Sequence, residues 1–86
     1  MDIKTLNLEI KKKIQEKISC EKILIEDKTF LHANHKSHNK NKYHIKLTIK
    51  SNELKLLNKI DSNKKIYNIL SNEIQNYIHS IQIHIL

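Results

Sequence analysis

The stretch YHIKLTIKS, residues 43–51, decides how this chain is expected to fold. Four of its side chains alternate strictly with polar ones: Tyr43, Ile45, Leu47 and Ile49. Because successive side chains of a strand point to opposite faces, this alternation predicts a strand with one buried face and one polar face. Ser51 follows directly and is a suitable N-cap for a helix.

One helix and one further strand are predicted before this stretch. Isoleucine and leucine recur every three or four residues between positions 3 and 18, which marks one face of a helix, and Asp2 is a suitable N-cap. Residues 22–26, KILIE, predict a short strand. Residues 27–42 contain almost no large apolar side chain after Leu31, so we expect a long loop there.

Two helices and a last strand are predicted after the serine. The first helical segment carries Leu54, Leu57 and Ile60, and a turn at Asp61-Ser62-Asn63 separates it from the second. The second helix has an apolar face of five residues: Ile66, Ile69, Leu70, Ile74 and Tyr77. HSIQIHIL, residues 79–86, alternates again and predicts the third strand.

The predicted order of elements is therefore αββααβ, in one α/β domain spanning residues 1–86. The first two strands are expected to pair as a hairpin, and the last two to be parallel through a right-handed crossover. Helices would then cover one face of a three-stranded mixed sheet, an architecture that resembles the second type of KH domain. A chain this short buries only roughly 60–65% of its unfolded surface, so it has no room for a large internal active site.

The composition favours a basic binding domain rather than an enzyme. The net charge of +7 favours nucleic acid, an anionic membrane or an acidic protein as partner, although lysine substituted freely on solvated faces would give the same charge. Without any glycine, neither a P-loop nor a dinucleotide fingerprint can occur. The single cysteine excludes an intramolecular disulfide. A polar N-terminus and the lack of a long apolar run predict a soluble, intracellular chain.

The stretch HANHKSH, residues 32–38, places His32, His35 and His38 two residues apart. Imidazole binds zinc and nickel, so such a run can hold these ions weakly. A fourth ligand is not defined, which argues against a structural zinc site. The residues alone leave open whether the stretch is a metal cluster or a polar loop that is rich in histidine.

Short motifs occur in both halves of the chain. They are formed by Asp27, Thr29, His32, His44-Ile45, Ser51, Asn63-Lys64, Tyr67 and Ile78-His79-Ser80-Ile81. These residues resemble the motifs of BolA-like proteins, a family with a D-x-S-x-x-H-type segment, H-F at the start of the second strand, a serine at its end, R-H-R-x-x-Y, and I-H-A-L at the last strand. The spacings from Ser51 to Tyr67 and from Tyr67 to His79 match without a gap. The chain departs from the family pattern at three places. Ser62-Asn63-Lys64 stands where the family has R-H-R, Leu56 stands where it has a glycine, and the loop has extra residues.

The resemblance implies an iron–sulfur trafficking or regulatory protein without enzymatic activity. BolA-like proteins pair with monothiol glutaredoxins and share a 2Fe-2S cluster, to which the glutaredoxin gives a cysteine and glutathione gives a thiolate. The BolA-like chain gives the histidine that opens the last strand, here His79, and a residue of the loop. The loop has no cysteine, so the chain resembles the histidine-loop subgroup. Counting from Asp27 puts the loop ligand at His32, with His35 and His38 as alternatives.

The remaining histidines and the lysines receive other interpretations. By alternation His79 shares a face with Ile81, whereas His44 is expected on the polar face as a sheet-surface or interface residue. His84 and Cys20 are interpreted as structural. DNA binding in transcriptional control is the alternative function, although the G-x-x-G loop of KH domains is missing. Its phosphate contacts would come from basic residues such as Lys55, Lys59, Lys64 and Lys65. The isolated chain is expected to be a monomer without cofactor, in the cytoplasm or nucleus.

Overall fold

A computed structural model of the protein describes residues 2–29 and 42–86. Residues 30–41, which contain most of the predicted loop, lie outside the described residues. The elements are α1 (Ile3–Lys17), β1 (Lys22–Asp27), β2 (Tyr43–Lys50), α2 (Asn52–Lys55), α3 (Lys59–Ile69), α4 (Ser71–Asn76) and β3 (Ile78–Ile85). In this part of the chain, none of the helices combines the length and the apolar character needed to cross a bilayer.

The three strands form one mixed sheet with β2 in the centre. β1 is antiparallel to β2, with Asp27 opposite Ile45, and β3 is parallel to β2, with Ile81 opposite the same Ile45. Both pairings confirm the predicted antiparallel and parallel directions of the strands. The end of β1, the start of β2 and the start of β3 therefore meet at one end of the sheet, where Asp27, His44 and His79 come together.

The helices bury one face of this sheet. Ile45, Leu47 and Ile49 of β2 are at most 2% exposed, as the alternation predicted. They form one apolar cluster with eight further buried side chains: Leu6, Ile10, Ile14, Ile18, Leu54, Ile66, Leu70 and Ile78. Burying one such side chain completely stabilises a fold by roughly 1.5–3 kcal/mol, so this cluster is the main attachment of the helices to the sheet.

Helix α1 begins and ends as the sequence predicts, to within one residue. The Asp2 carboxylate accepts a hydrogen bond from the backbone N–H of Thr5 at 2.8 Å. This hydrogen bond lowers the pKa of the Asp2 carboxyl. The helix stops at Lys17 because the next residue, Ile18, has an extended backbone.

The helical region after β2 differs from the prediction. Ser51 caps α2 by accepting from the N–H of Leu54 at 3.3 Å, but α2 ends after about one turn. The turn predicted at Asp61-Ser62-Asn63 is wrong, because these residues lie in α3. The cap of α3 is Asn58, whose side chain accepts from the N–H of Asp61 at 2.8 Å.

The predicted second helix is divided into two shorter ones. Leu70 leaves the helical conformation, with φ −100° and ψ 16°, and separates α3 from α4. Its side chain remains fully buried, so the apolar face continues across the break. Leu57 and Ile60, which were expected on a helical face towards the core, are 39% and 68% exposed.

Candidate metal-binding site at the start of the third strand

The register between β2 and β3 shifts at the point where both strands begin. Tyr43 lies opposite Ile78, but the next residue of β2, His44, lies opposite Ser80. His79 is therefore an extra residue in β3, a β-bulge, which is rare between parallel strands. The alternation had placed His79 on the face of Ile81, and the extra residue removes it from that face. Bulges redirect side chains in this way beside functional sites.

Two imidazole rings meet at this bulge. Nδ1 of His79 lies 3.1 Å from Nε2 of His44, and the ring centroids are 4.7 Å apart with the planes at 89°. On the other side of the His44 ring, Nδ1 lies 2.6 Å from Oγ of Ser80. The three side chains form one hydrogen-bonded chain, in the order Ser80, His44, His79.

The two histidines differ in their exposure to solvent. His44 is only 5% exposed, whereas His79 is exposed. The prediction of His44 as a sheet-surface residue is therefore wrong in its exposure, because the ring is enclosed at the bulge and both its nitrogens have partners. Nε2 of His79 has no hydrogen-bond partner within residues 2–29 and 42–86. Because His79 as a whole is exposed, Nε2 is the atom of the pair that a further ligand or metal would meet.

The backbone of His44 is held in place from β1. The N–H of Lys28 donates to the carbonyl of His44 at 2.7 Å, and the N–H of His44 donates to Oγ1 of Thr29 at 3.1 Å. The hydroxyl of Thr29 and its N–H, the latter at 3.0 Å, both donate to the carboxylate of Asp27. Asp27 and Thr29, which carried part of the family resemblance, therefore fix the position of His44.

The other predicted metal ligands, His32, His35 and His38, lie outside the described residues. Across the described ranges, no group of three or more histidine, cysteine, aspartate or glutamate side chains is arranged to hold a metal ion. His84 lies further along β3, opposite Thr48, and is exposed.

Cys20 lies before β1 and is half-buried. Its thiol donates a hydrogen bond to the carbonyl of Ile18 at 3.4 Å. Burial is the main cause that raises the pKa of the Cys20 thiol, and the nearby charge of Glu53 raises it further. A thiol of this kind is a poorer nucleophile and metal ligand than an exposed one, in agreement with its interpretation as structural.

The lysines predicted to contact nucleic acid lie on or near α3. Lys59 and Lys64 are exposed, whereas Lys65 pairs with the carboxylate of Glu53 at 3.3 Å. A groove between the α2–α3 region and β3 is bordered by Lys55 and Lys59. Its wall includes Leu54 and Leu57 from the helical side and residues 82–85 from β3.

Residues 14–86 match the family model described as BolA-like protein. Among curated proteins, no sequence matches. Three solved structures are similar to the chain over nearly its whole length. The BolA domain of SufE1 from Arabidopsis thaliana has a TM-score of 0.79 and 20% sequence identity, with 99% of this chain and 92% of that chain covered.

BolA1 from Arabidopsis thaliana has a TM-score of 0.78 at 20% identity, and the match covers 93% of this chain and 88% of that one. A bol-like protein from Babesia bovis has a TM-score of 0.72 at 13% identity, covering 100% of this chain and 85% of that one. At these identities the structures show a shared fold. The family match and the shared fold agree with the motifs in the sequence: the chain belongs to the BolA-like protein family.

Proposed function

We propose that this protein is a non-enzymatic iron–sulfur trafficking partner. It binds a monothiol glutaredoxin and co-ligates a bridging 2Fe-2S cluster through His79 and His32. The observation that carries the proposal is the exposed ring of His79, which is fixed through Nδ1 and leaves Nε2 without a partner in the described structure. Membership in the BolA-like family supports the class of partner.

His79 has the properties that a ligand shared between two proteins requires. It is exposed, so a second protein can approach it. Its ring is held against His44, so less side-chain freedom is lost when a metal binds. An imidazole that replaces a thiolate raises the reduction potential of a 2Fe-2S cluster, and this is the property that histidine ligation would supply.

His32 is proposed as the second ligand on the basis of chain connectivity. Thr29 accepts a hydrogen bond from the backbone N–H of His44, and His32 lies three positions after Thr29 in the sequence. At most about 11 Å of extended chain joins Thr29 to His32, so the chain length allows His32 to reach the histidine pair. His35 and His38 are the alternatives because they belong to the same segment, and His38 is four positions, at most about 14 Å of extended chain, from Lys42 at its other end.

The partner has to complete the ligand set. A 2Fe-2S cluster takes four protein or thiol ligands, and this chain would give two. A glutaredoxin cysteine and a glutathione thiolate would give the others. The isolated chain should therefore be colourless and monomeric, and recovery of a stable, stoichiometric cluster without a partner would contradict the shared site.

The experiment is a titration of the chain into a 2Fe-2S-loaded monothiol glutaredoxin with glutathione, followed by visible circular dichroism. Alanine variants at positions 32, 35, 38 and 79 are compared with His84→Ala, an exposed histidine of the same strand. His79→Ala should weaken the holo complex most, and His32→Ala should perturb its spectrum, with partial rescue by His35. If His79→Ala leaves the spectrum unchanged while His35→Ala or His38→Ala abolishes it, the loop histidines form a separate metal cluster.

Nucleic-acid binding is the second candidate function. The observation that favours it is the groove between the α2–α3 region and β3, which Lys55 and Lys59 border on a chain of net charge +7. Phosphate contacts lose affinity steeply as salt rises, whereas cluster sharing needs glutaredoxin and glutathione. Double-stranded DNA binding that weakens on Lys59→Gln and with increasing salt would support this function, and binding unaffected by both would exclude it.

A further inference from the structure

We infer that His44 and Ser80 are positioning residues for His79. Together they hold its ring at the bulge and set the tautomer in which Nε2 can bind a metal. The inference rests on the proposed function of His79, and it adds a role for two residues that would not themselves touch the cluster. It also explains why a histidine that is 5% exposed lies beside an exposed one.

A single hydrogen bond links the rings of His44 and His79. The 3.1 Å between Nδ1 of His79 and Nε2 of His44 accommodates one proton. When Nδ1 of His79 carries that proton, Nε2 of His79 has a free electron pair and can bind a metal. A neutral His44 then has its own proton on Nδ1, where it donates to Oγ of Ser80 at 2.6 Å.

The opposite placement of the shared proton prevents Nε2 of His79 from binding a metal. If Nε2 of His44 carries the shared proton, its Nδ1 accepts from the hydroxyl of Ser80, and Nδ1 of His79 accepts from His44. The proton of a neutral His79 then lies on Nε2, where it blocks metal binding. The tautomers of the two rings are therefore coupled: both carry the proton on Nδ1, or both carry it on Nε2.

The bulge and the burial of His44 make this coupling strong. In an unbroken register from the Tyr43–Ile78 pair, His79 would lie opposite His44 and Ser80 opposite Ile45, and the two side chains would not both reach the His44 ring. Because His44 is buried, water cannot freely replace a missing partner, and a polar nitrogen left without one would be costly. Metal-binding histidines commonly donate their second N–H to a fixed acceptor, and losing that acceptor typically costs about 10–100-fold in metal affinity.

The first test uses the chain without metal or partner. Long-range proton–nitrogen NMR spectra near pH 8.5, above the ordinary imidazole pKa of about 6.5, report which ring nitrogen is protonated. We expect equal fractions of the Nδ1–H tautomer at His44 and His79. Opposite tautomers at the two residues would overturn the inference.

Two substitutions at position 44 separate positioning from packing. His44→Phe fills a similar volume but cannot accept from Nδ1 of His79, whereas His44→Gln places an amide oxygen near the position of Nε2. In His44→Phe, the ¹⁵N chemical shifts of the His79 ring should move towards the values of imidazole in water. In His44→Gln, they should remain close to those of the unaltered chain. His84 should not change in either variant. Unchanged His79 shifts in His44→Phe would overturn the inference.

Ser80→Ala extends the test to an exposed position that is not needed for packing. It removes the acceptor beyond His44, so the tautomer fractions at His44 and His79 should change together. A change at His44 alone would contradict the coupling, and the experiment remains informative if a substitution at position 44 impairs folding.

The second test measures binding to 2Fe-2S-loaded monothiol glutaredoxin with glutathione. His44→Phe should lower the affinity about 10–100-fold, and His44→Gln should restore most of it. Equal affinity of folded His44→Phe and the unaltered chain would overturn the positioning role. Coupled tautomers in a chain that takes no cluster would instead contradict the proposed function and leave the role of His44 towards His79 intact.

Discussion

Removal of the Lys13 ammonium is expected to destabilise the fold because it leaves a buried carboxylate without its cation. Glu73 of α4 is 1% exposed, and its Oε2 accepts from Nζ of Lys13 in α1 at 2.5 Å. Its other oxygen, Oε1, is buried without a hydrogen-bond partner among the described residues. Lys13 is therefore the main compensation for burying this charge.

The expected magnitude follows from the exposure of the two partners. Breaking a fully buried ion pair by removing one partner costs about 3–5 kcal/mol. The Lys13 side chain is 32% exposed, so water can reach part of the space that it leaves, and solvent screening reduces the cost. We expect Lys13→Met to lower the free energy of unfolding by about 2–3 kcal/mol. In a chain of this size that corresponds to a drop in Tm of roughly 10–20 °C.

Urea denaturation of a double-mutant cycle measures this contribution. Lys13→Met keeps the apolar stem, and Glu73→Gln keeps the shape of the acceptor without its charge. The double variant should be more stable than the sum of the two single losses predicts, by about 1–2 kcal/mol. Lys12→Met, an exposed neighbour on the same helix, is the matched control and should change stability by less than about 0.5 kcal/mol. If Lys13→Met behaves like Lys12→Met, Glu73 does not depend on its ion pair.

Three further predictions concern the scaffold. Ser51→Ala removes the buried cap of α2 at Leu54 and a second side-chain hydrogen bond, so urea denaturation should show a loss of about 2 kcal/mol; an unchanged midpoint would contradict this. Iodoacetamide at pH 8 should alkylate Cys20 more slowly in the folded chain than in urea, because the raised pKa of the thiol lowers its thiolate fraction; equal rates would contradict its burial. Leu47→Ala should cost about 2–5 kcal/mol, whereas Leu56→Ala, at an 88% exposed position, should be nearly neutral.

The sheet could be predicted from the sequence because its signal is local and strong. Strict alternation in residues 43–50 marks β2, and Ile45, Leu47 and Ile49 are buried as this pattern requires. The helical boundary near Asn58 could not be placed by the same reasoning, because apolar periodicity does not distinguish a buried side chain from an exposed one such as Ile60. The spacing from Asn58 to Asp61 is a capping signal that would have placed the start of α3 correctly.

The site was only partly predictable. His79 was identified through the family resemblance, but its placement beside His44 depends on one extra residue in β3, which changes the parity of the strand. A signal does exist: two polar residues, His79 and Ser80, interrupt the alternation between Ile78 and Ile81. The pairing of Lys13 with Glu73 has no local signal, because 60 positions separate the two residues.

Direct detection of an imidazole nitrogen bound to iron tests the central claim most closely. The chain, labelled with ¹⁵N-histidine, is combined with unlabelled 2Fe-2S-loaded monothiol glutaredoxin and glutathione, and the cluster is reduced and measured by pulsed electron paramagnetic resonance. We expect strong ¹⁵N hyperfine couplings that weaken when His79 is replaced by alanine and persist in His84→Ala. Absence of ¹⁵N coupling from the labelled chain, or a spectrum that His79→Ala leaves unchanged, would contradict ligation of a shared cluster by His79.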